Sequence, residues 1–174
     1  MTADFSKEQD KLQRWILRQK MNRIWQAAKS GRLDDFNDEE KQVAHIMLEH
    51  EEYKDDFDNA DLLADYAYNP DAEVNPFLHI STHLMIENQL KGQGRNEVRK
   101  FYDAMKEKGC SHHQIIHLIG LILLPLLYEV LKYKRMFDGE RYERLLIKYR
   151  RAKPGKLSAL LEKEFDNKRR HDLQ

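Results

Sequence analysis

Seven of the eight histidines in this 174-residue chain fall in three segments: His45 and His50, then His79 and His83, then His112, His113 and His117. Two of the segments repeat one spacing. His79 and His83 stand four residues apart, as do His113 and His117, and Glu87 extends the first pair by a further four. Residues four apart share one face of a helix. Two imidazoles and a carboxylate on one face make up a donor set suited to a transition metal. On a helical wheel with His79 at zero, His83 falls at roughly 40° and Glu87 at roughly 80°, inside the arc that Ile86 and Leu90 make apolar. Three polar groups buried there without partners would cost roughly 1–3 kcal/mol each. They need hydrogen-bonding partners or an ion.

His50 offers a third helix, since it follows Val43, Ile46 and Met47 on a core stripe, whereas His45 lies off that stripe and is expected in water. His112, beside the capping Ser111, is expected to face water too. His79 and Glu87 are separated by roughly 12 Å of helix axis at 1.5 Å per residue, so one ion does not hold both with His83 between them. The simplest site is a single ion on His79, His83 and one of His113 and His117, with His50 as a further ligand. Two ions sharing the run are the alternative. Glu87 is then the candidate catalytic group, either a base acting on a metal-bound water whose pKa falls towards about 7 or an orienter of a ligand. A mostly imidazole donor set suits Zn, Fe or Ni. The competing reading makes these histidines core hydrogen-bonders, satisfied by backbone carbonyls or by some of the eight tyrosines. The chain would then be a non-catalytic interaction module.

The elements that must carry these residues read as helices throughout. Ser6 with Gln9, and Asn37 with Glu40, are capping-box pairs. The first opens a helix whose core side is expected to include Leu12, Trp15, Ile16, Ile24, Trp25 and Ala28. Residues 51–61 are acidic and expected to fray into a loop, and "NPDAEVNP" is expected to be a loop as well. Asn75 caps and Pro76 opens a helix to about Leu90, stopped by Gly92 and Gly94. Val98, Phe101, Tyr102 and Met105 trace the next stripe, ending at Gly109. Ser111 caps a long apolar helix to about Arg135, with a kink expected at Pro125. "GERYERLLIKYRRA" and "LSALLEKEF" complete the set. The fold expected is all-α, a helical bundle of about four main helices with additional short ones. It forms a single domain over 1–174, with its core over about 6–152 and a short helix and mobile basic tail over 153–174.

Hydrophobic residues make up 41% and charged residues 34% of the chain, a globular balance. The longest apolar stretch, "IIHLIGLILLPLLY", is interrupted by His117, Gly120 and Pro125, so no membrane-spanning segment and no membrane partner is expected. One cysteine, Cys110, excludes an internal disulfide framework and fits a cytoplasmic setting. Residues 1–90 hold 10 Lys/Arg and 19 Asp/Glu, a net of −9, and residues 91–174 hold 20 and 11, a net of +9. The halves either neutralise each other internally or steer a partner. A homo-oligomer is compatible with this composition. Nucleic-acid binding through "KYRRAKPGK" and "NKRR" is the weakest option, because Tyr149 is the only interleaved aromatic. No nucleophile elbow, phosphate loop, dinucleotide fingerprint or zinc-finger cysteine pair is present, so whether the chain is an enzyme stays open.

"LEHEEY" (48–53), "NPFLHISTHLMIENQ" (75–89), "HQIIH" (113–117) and "LYE" (127–129) together resemble an uncharacterised bacterial family, a domain of unknown function. The resemblance covers roughly 38–135. It carries over to His50, Tyr53, Asn75, Pro76, His79, His83, Gln89, His113, His117 and Glu129. The family has glutamates four and eight positions beyond its second histidine of the last pair, where this chain has Leu121 and Pro125, and that departure speaks against a dinuclear site. The pattern is also loosely similar to hemerythrin-like metal-binding bundles, but the fourth-helix histidine and aspartate of that group are absent, which tells against dioxygen binding.

Overall fold

The computed structural model describes residues 2–69, 72–92 and 97–171, so Gly94 and the Pro70 turn lie outside the described residues. Every regular element among them is helical: α1 (Thr2–Lys29), α2 (Asp38–Leu48), a 3-10 turn (Glu51–Tyr53), α3 (Lys54–Asp58), α4 (Pro76–Lys91), α5 (Glu97–Glu107), α6 (His112–Tyr133), α7 (Gly139–Tyr149), a second 3-10 turn (Pro154–Lys156) and α8 (Leu157–His171). The chain divides into two compact units, Met1–Leu84 and Met85–Gln174, and α4 runs across the division.

The first unit is organised by α1. Its last three turns bury Met21, Ile24, Trp25 and Ala28 with Val43, Ala44, Ile46 and Met47 of α2 and Phe57 of α3. Gly31, at φ 66, lets the chain turn back after α1. Asn37 then makes the full capping box with Glu40. The acidic stretch 51–61 is not frayed. It forms the 3-10 turn and α3, because Phe57 and Ala60 are fully buried. The segment is also tied to α1, since Trp25 Nε1–H donates to Asp58 at 2.8 Å and the Asn22 amide donates to the Phe57 carbonyl at 3.0 Å.

The front of α1 departs from expectation. It begins at Thr2, so Ser6 lies inside the helix and not at its start. Leu12, Trp15 and Ile16 are exposed. The cause is length: 28 residues make about 42 Å of helix, whereas the 11 residues of α2 cover only about 16 Å of it.

The second unit packs the end of α4 with α5 to α8. Phe101 and Met105 of α5, Ile115, Ile119 and Ile122 of α6, Leu146 of α7 and Leu157 of α8 are all fully buried there. The Ser111–Gln114 capping box starts α6, and Gly109, at φ 85, provides the turn before it. The helix runs through Pro125 to Tyr133 and closes on Lys134 in the left-handed region, φ 51. By length and composition α6 is apolar enough to cross a membrane, with a mean hydropathy of 2.0 over its best window, contrary to the sequence expectation. The interrupting His117 and Gly120 barely lower that average, and the core helix of a globular unit meets the same criterion. The core also reaches past residue 152, through Leu157, Leu161 and Phe165. The segment expected as a tail is helical as far as His171, and residues 172–174 lie outside the described residues.

Candidate metal centre

His50 sits at the bend between α2 and the 3-10 turn, fully buried at 0% exposure. Its Nδ1–H donates to the Ile46 carbonyl at 2.7 Å. A carbonyl only accepts, so this bond fixes the tautomer and assigns the Nε2 lone pair of the neutral ring as its ligand atom. A metal-binding histidine typically donates its other ring N–H to a carbonyl or carboxylate in the same way.

His79 and His83 project from successive turns of α4, which Asn75 starts by accepting the Leu78 N–H at 3.1 Å and Pro76 opens at its first position. His83 is buried at 4% exposure and His79 is half-buried. The three rings converge: centroids are 4.6 Å apart for His50 and His83, 4.7 Å for His50 and His79, and 4.6 Å for His79 and His83. Nitrogens of His50 and His83 lie within 4.8 Å of each other, close enough for one ion. His79 Nε2 lies 3.0 Å from His50 Nε2. Two ligands of a tetrahedral ion at 2.0–2.1 Å stand roughly 3.3 Å apart, so this pair spans nearly the distance an ion imposes. Tyr53 closes the group, stacked on His50 at 6.1 Å and 5.4 Å from His79. Burial, with help from the charges of Glu52 and Asp56, pushes the Tyr53 phenol up from its ordinary value. The first unit thus holds a buried histidine cluster that could accept a metal ion.

In the second unit His113 and His117, on successive turns of α6, have ring centroids 4.4 Å apart, and both are half-buried. Their nitrogens also lie within 4.8 Å of each other and belong to ring systems suited to an ion.

Glu87 does not point to a ligand histidine. Its Oε1 accepts from His112 Nε2–H at 2.5 Å, and His112 Nδ1 in turn takes the Tyr102 hydroxyl at 2.9 Å. His112 was expected only to face water. It is exposed, but it is also the partner that satisfies Glu87. Glu87 and His112 are 25 residues apart, so no local spacing announces the pair, and Tyr102 was visible only as part of the α5 stripe. His45 is exposed, as its wheel position requires. Two further residues carried over by the resemblance hold the fold of the second unit. Gln89 accepts the Tyr142 hydroxyl at 3.1 Å, and Glu129 takes Arg141 at 2.8 and 2.9 Å through both oxygens. Burial keeps the Tyr142 phenol protonated well above its ordinary range.

Comparison with known proteins finds one family. Residues 13–148 match the domain of unknown function DUF1841. No curated protein and no solved structure matches the chain.

Proposed function

The chain belongs to the DUF1841 family, and from that premise we propose that it is a metal-binding protein in which His50, His79 and His83 of the first unit hold one transition metal ion. The observation that carries this reading is the burial of His50 and His83 with their rings 4.6 Å apart, His50 being aligned by the Ile46 carbonyl. An ion of this kind takes at least three protein ligands, and His79, whose Nε2 lies 3.0 Å from that of His50, supplies the third.

The donors are three imidazoles without a thiolate, which suits Zn, Fe or Ni. Three imidazoles leave a tetrahedral Zn one position for water or substrate, as in a catalytic site. An octahedral Fe or Ni would keep three such positions. The metal would supply Lewis acidity at those positions. Glu87 then serves His112 rather than a bound water, so the proposal leaves the reaction unassigned. A cytoplasmic setting belongs to it, supported by the lone Cys110.

Elemental analysis of protein purified without an affinity tag tests the reading. The expected result is one Zn, Fe or Ni per chain, lost in His50→Ala, His79→Ala and His83→Ala and kept in His45→Ala. Absence of metal in the parent protein, with no uptake of any of the three ions, would leave the histidines as core hydrogen-bonders in an interaction module.

A further inference from the structure

The second unit carries an exposed strip that the histidines do not explain. From Leu131 at the end of α6 to Phe137, before α7, every residue is exposed. Leu131 is 61% and Met136 93% exposed, and Tyr133 and Phe137 stand between and beside them. Apolar side chains of this size, left in water next to one another, form a patch that asks for a partner. Interleaved with them are Lys132, Lys134 and Arg135. Two of these cations lie over rings, Lys132 at 5.2 Å from the Tyr128 centroid and Arg135 at 5.2 Å from that of Tyr133.

No carboxylate lies within the strip. Of those that flank it, Glu129 holds Arg141 through both oxygens. Asp138 caps α7 by accepting the Arg141 N–H at 2.8 Å. Lys134 and Arg135 present two positive charges beside the exposed apolar tips.

We propose that residues 131–137 dock this protein on an anionic lipid surface, the cations meeting the headgroups and Leu131 and Met136 entering the acyl boundary. Both halves of the patch favour this occupant. Basic residues are drawn to the anionic headgroups of a cytoplasmic leaflet. Apolar side chains at the tip gain by leaving water for the interface, and Tyr and Phe are at home at that depth. A nucleic-acid backbone would reward the cations but not the most exposed residue, Met136. Contact of this kind lies on the membrane and requires nothing of α6 as a spanning segment.

Co-sedimentation of the full chain with vesicles tests it. We expect binding to phosphatidylcholine vesicles that contain phosphatidylglycerol, little binding to phosphatidylcholine alone, and release by salt. Lys134→Gln with Arg135→Gln removes two cations and lowers partitioning roughly thirtyfold. Met136→Ser with Leu131→Ser, which leaves the charge unchanged, lowers it about tenfold or more, although both side chains are exposed and the fold is kept, as an unchanged thermal melt would show. Phe137 is left intact because its ring packs 5.9 Å from that of Tyr142. Failure to bind anionic vesicles at low salt overturns the proposal. So does binding that the Leu131 and Met136 substitutions leave unchanged, which would assign the strip to polyanions such as nucleic acid.

Discussion

The His50–His79–His83 cluster of the first unit and the His113–His117 pair of the second use the same residue type and the same four-residue spacing, yet they sit in different surroundings. His50 and His83 are buried, and His50 is locked by a backbone carbonyl. His113 and His117 are half-buried on a helix that otherwise supplies core leucines and isoleucines. Spacing places histidines on a face, but burial and the bond at the second ring nitrogen decide how rigidly each is presented. The proposed site uses the preorganised set of the first unit.

The largest effect expected from this contrast is in metal-free protein. His50→Ala removes a fully buried ring and its bond to the Ile46 carbonyl, so it should cost about 2–3 kcal/mol. His113→Ala should cost under about 1 kcal/mol, since its site is already wet. Thermal melts of both variants, stripped of metal, check this. Equal losses would mean the two histidine regions are equally rigid.

Glu87→Gln sharpens the contrast at the next scale. The Glu87–His112 pair is partly exposed and contributes at most about 1 kcal/mol. Metal content should not change. Loss of metal would tie Glu87 to the ligand set, as the sequence reading of it as an orienter of a ligand implies.

The smallest effect concerns pH. The Lys148 ammonium, with the Tyr149 hydroxyl, holds the Glu164 carboxyl below its ordinary 4.5. A depressed carboxyl contributes stability that is present above the unfolded value and is lost as pH falls through the folded one. Glu164→Gln should therefore flatten the acid limb of the stability profile below about pH 4.5 by less than about 1 kcal/mol and leave neutral stability nearly unchanged. Acid titration followed by circular dichroism reads this. An unaltered acid limb would show that the pair contributes nothing in solution.

Much of this was legible in the residues. The caps Asn37, Asn75 and Ser111 and the Pro76 start are short-range signals, and the helices begin where they indicate. The inward face of α4 could be read from the wheel, as could the outward His45. What failed depends on partners distant in sequence. Trp15 and Ile16 read as core, but whether a helix face is buried depends on the length of the element packed against it. The acidic run 51–61 read as a loop because its charges outnumber the single Phe57 that anchors it. Glu87 read as a base on a metal-bound water or an orienter of a ligand, because its partner His112 lies on another helix.

The central claim, that His50, His79 and His83 hold one ion, is tested most directly by the thermal melt of protein first shown to be metal-free, repeated with Zn, Fe(II) and Ni near neutral pH. An ion bound only by the native state, at a hundredfold excess over its Kd, adds about 2.7 kcal/mol, or roughly 5–10 °C in Tm for a chain of this size. The gain should appear with at least one ion, vanish on chelation, and be absent from both His79→Ala and His83→Ala. No shift with any of the three ions, or a shift that His83→Ala leaves intact, would contradict the account.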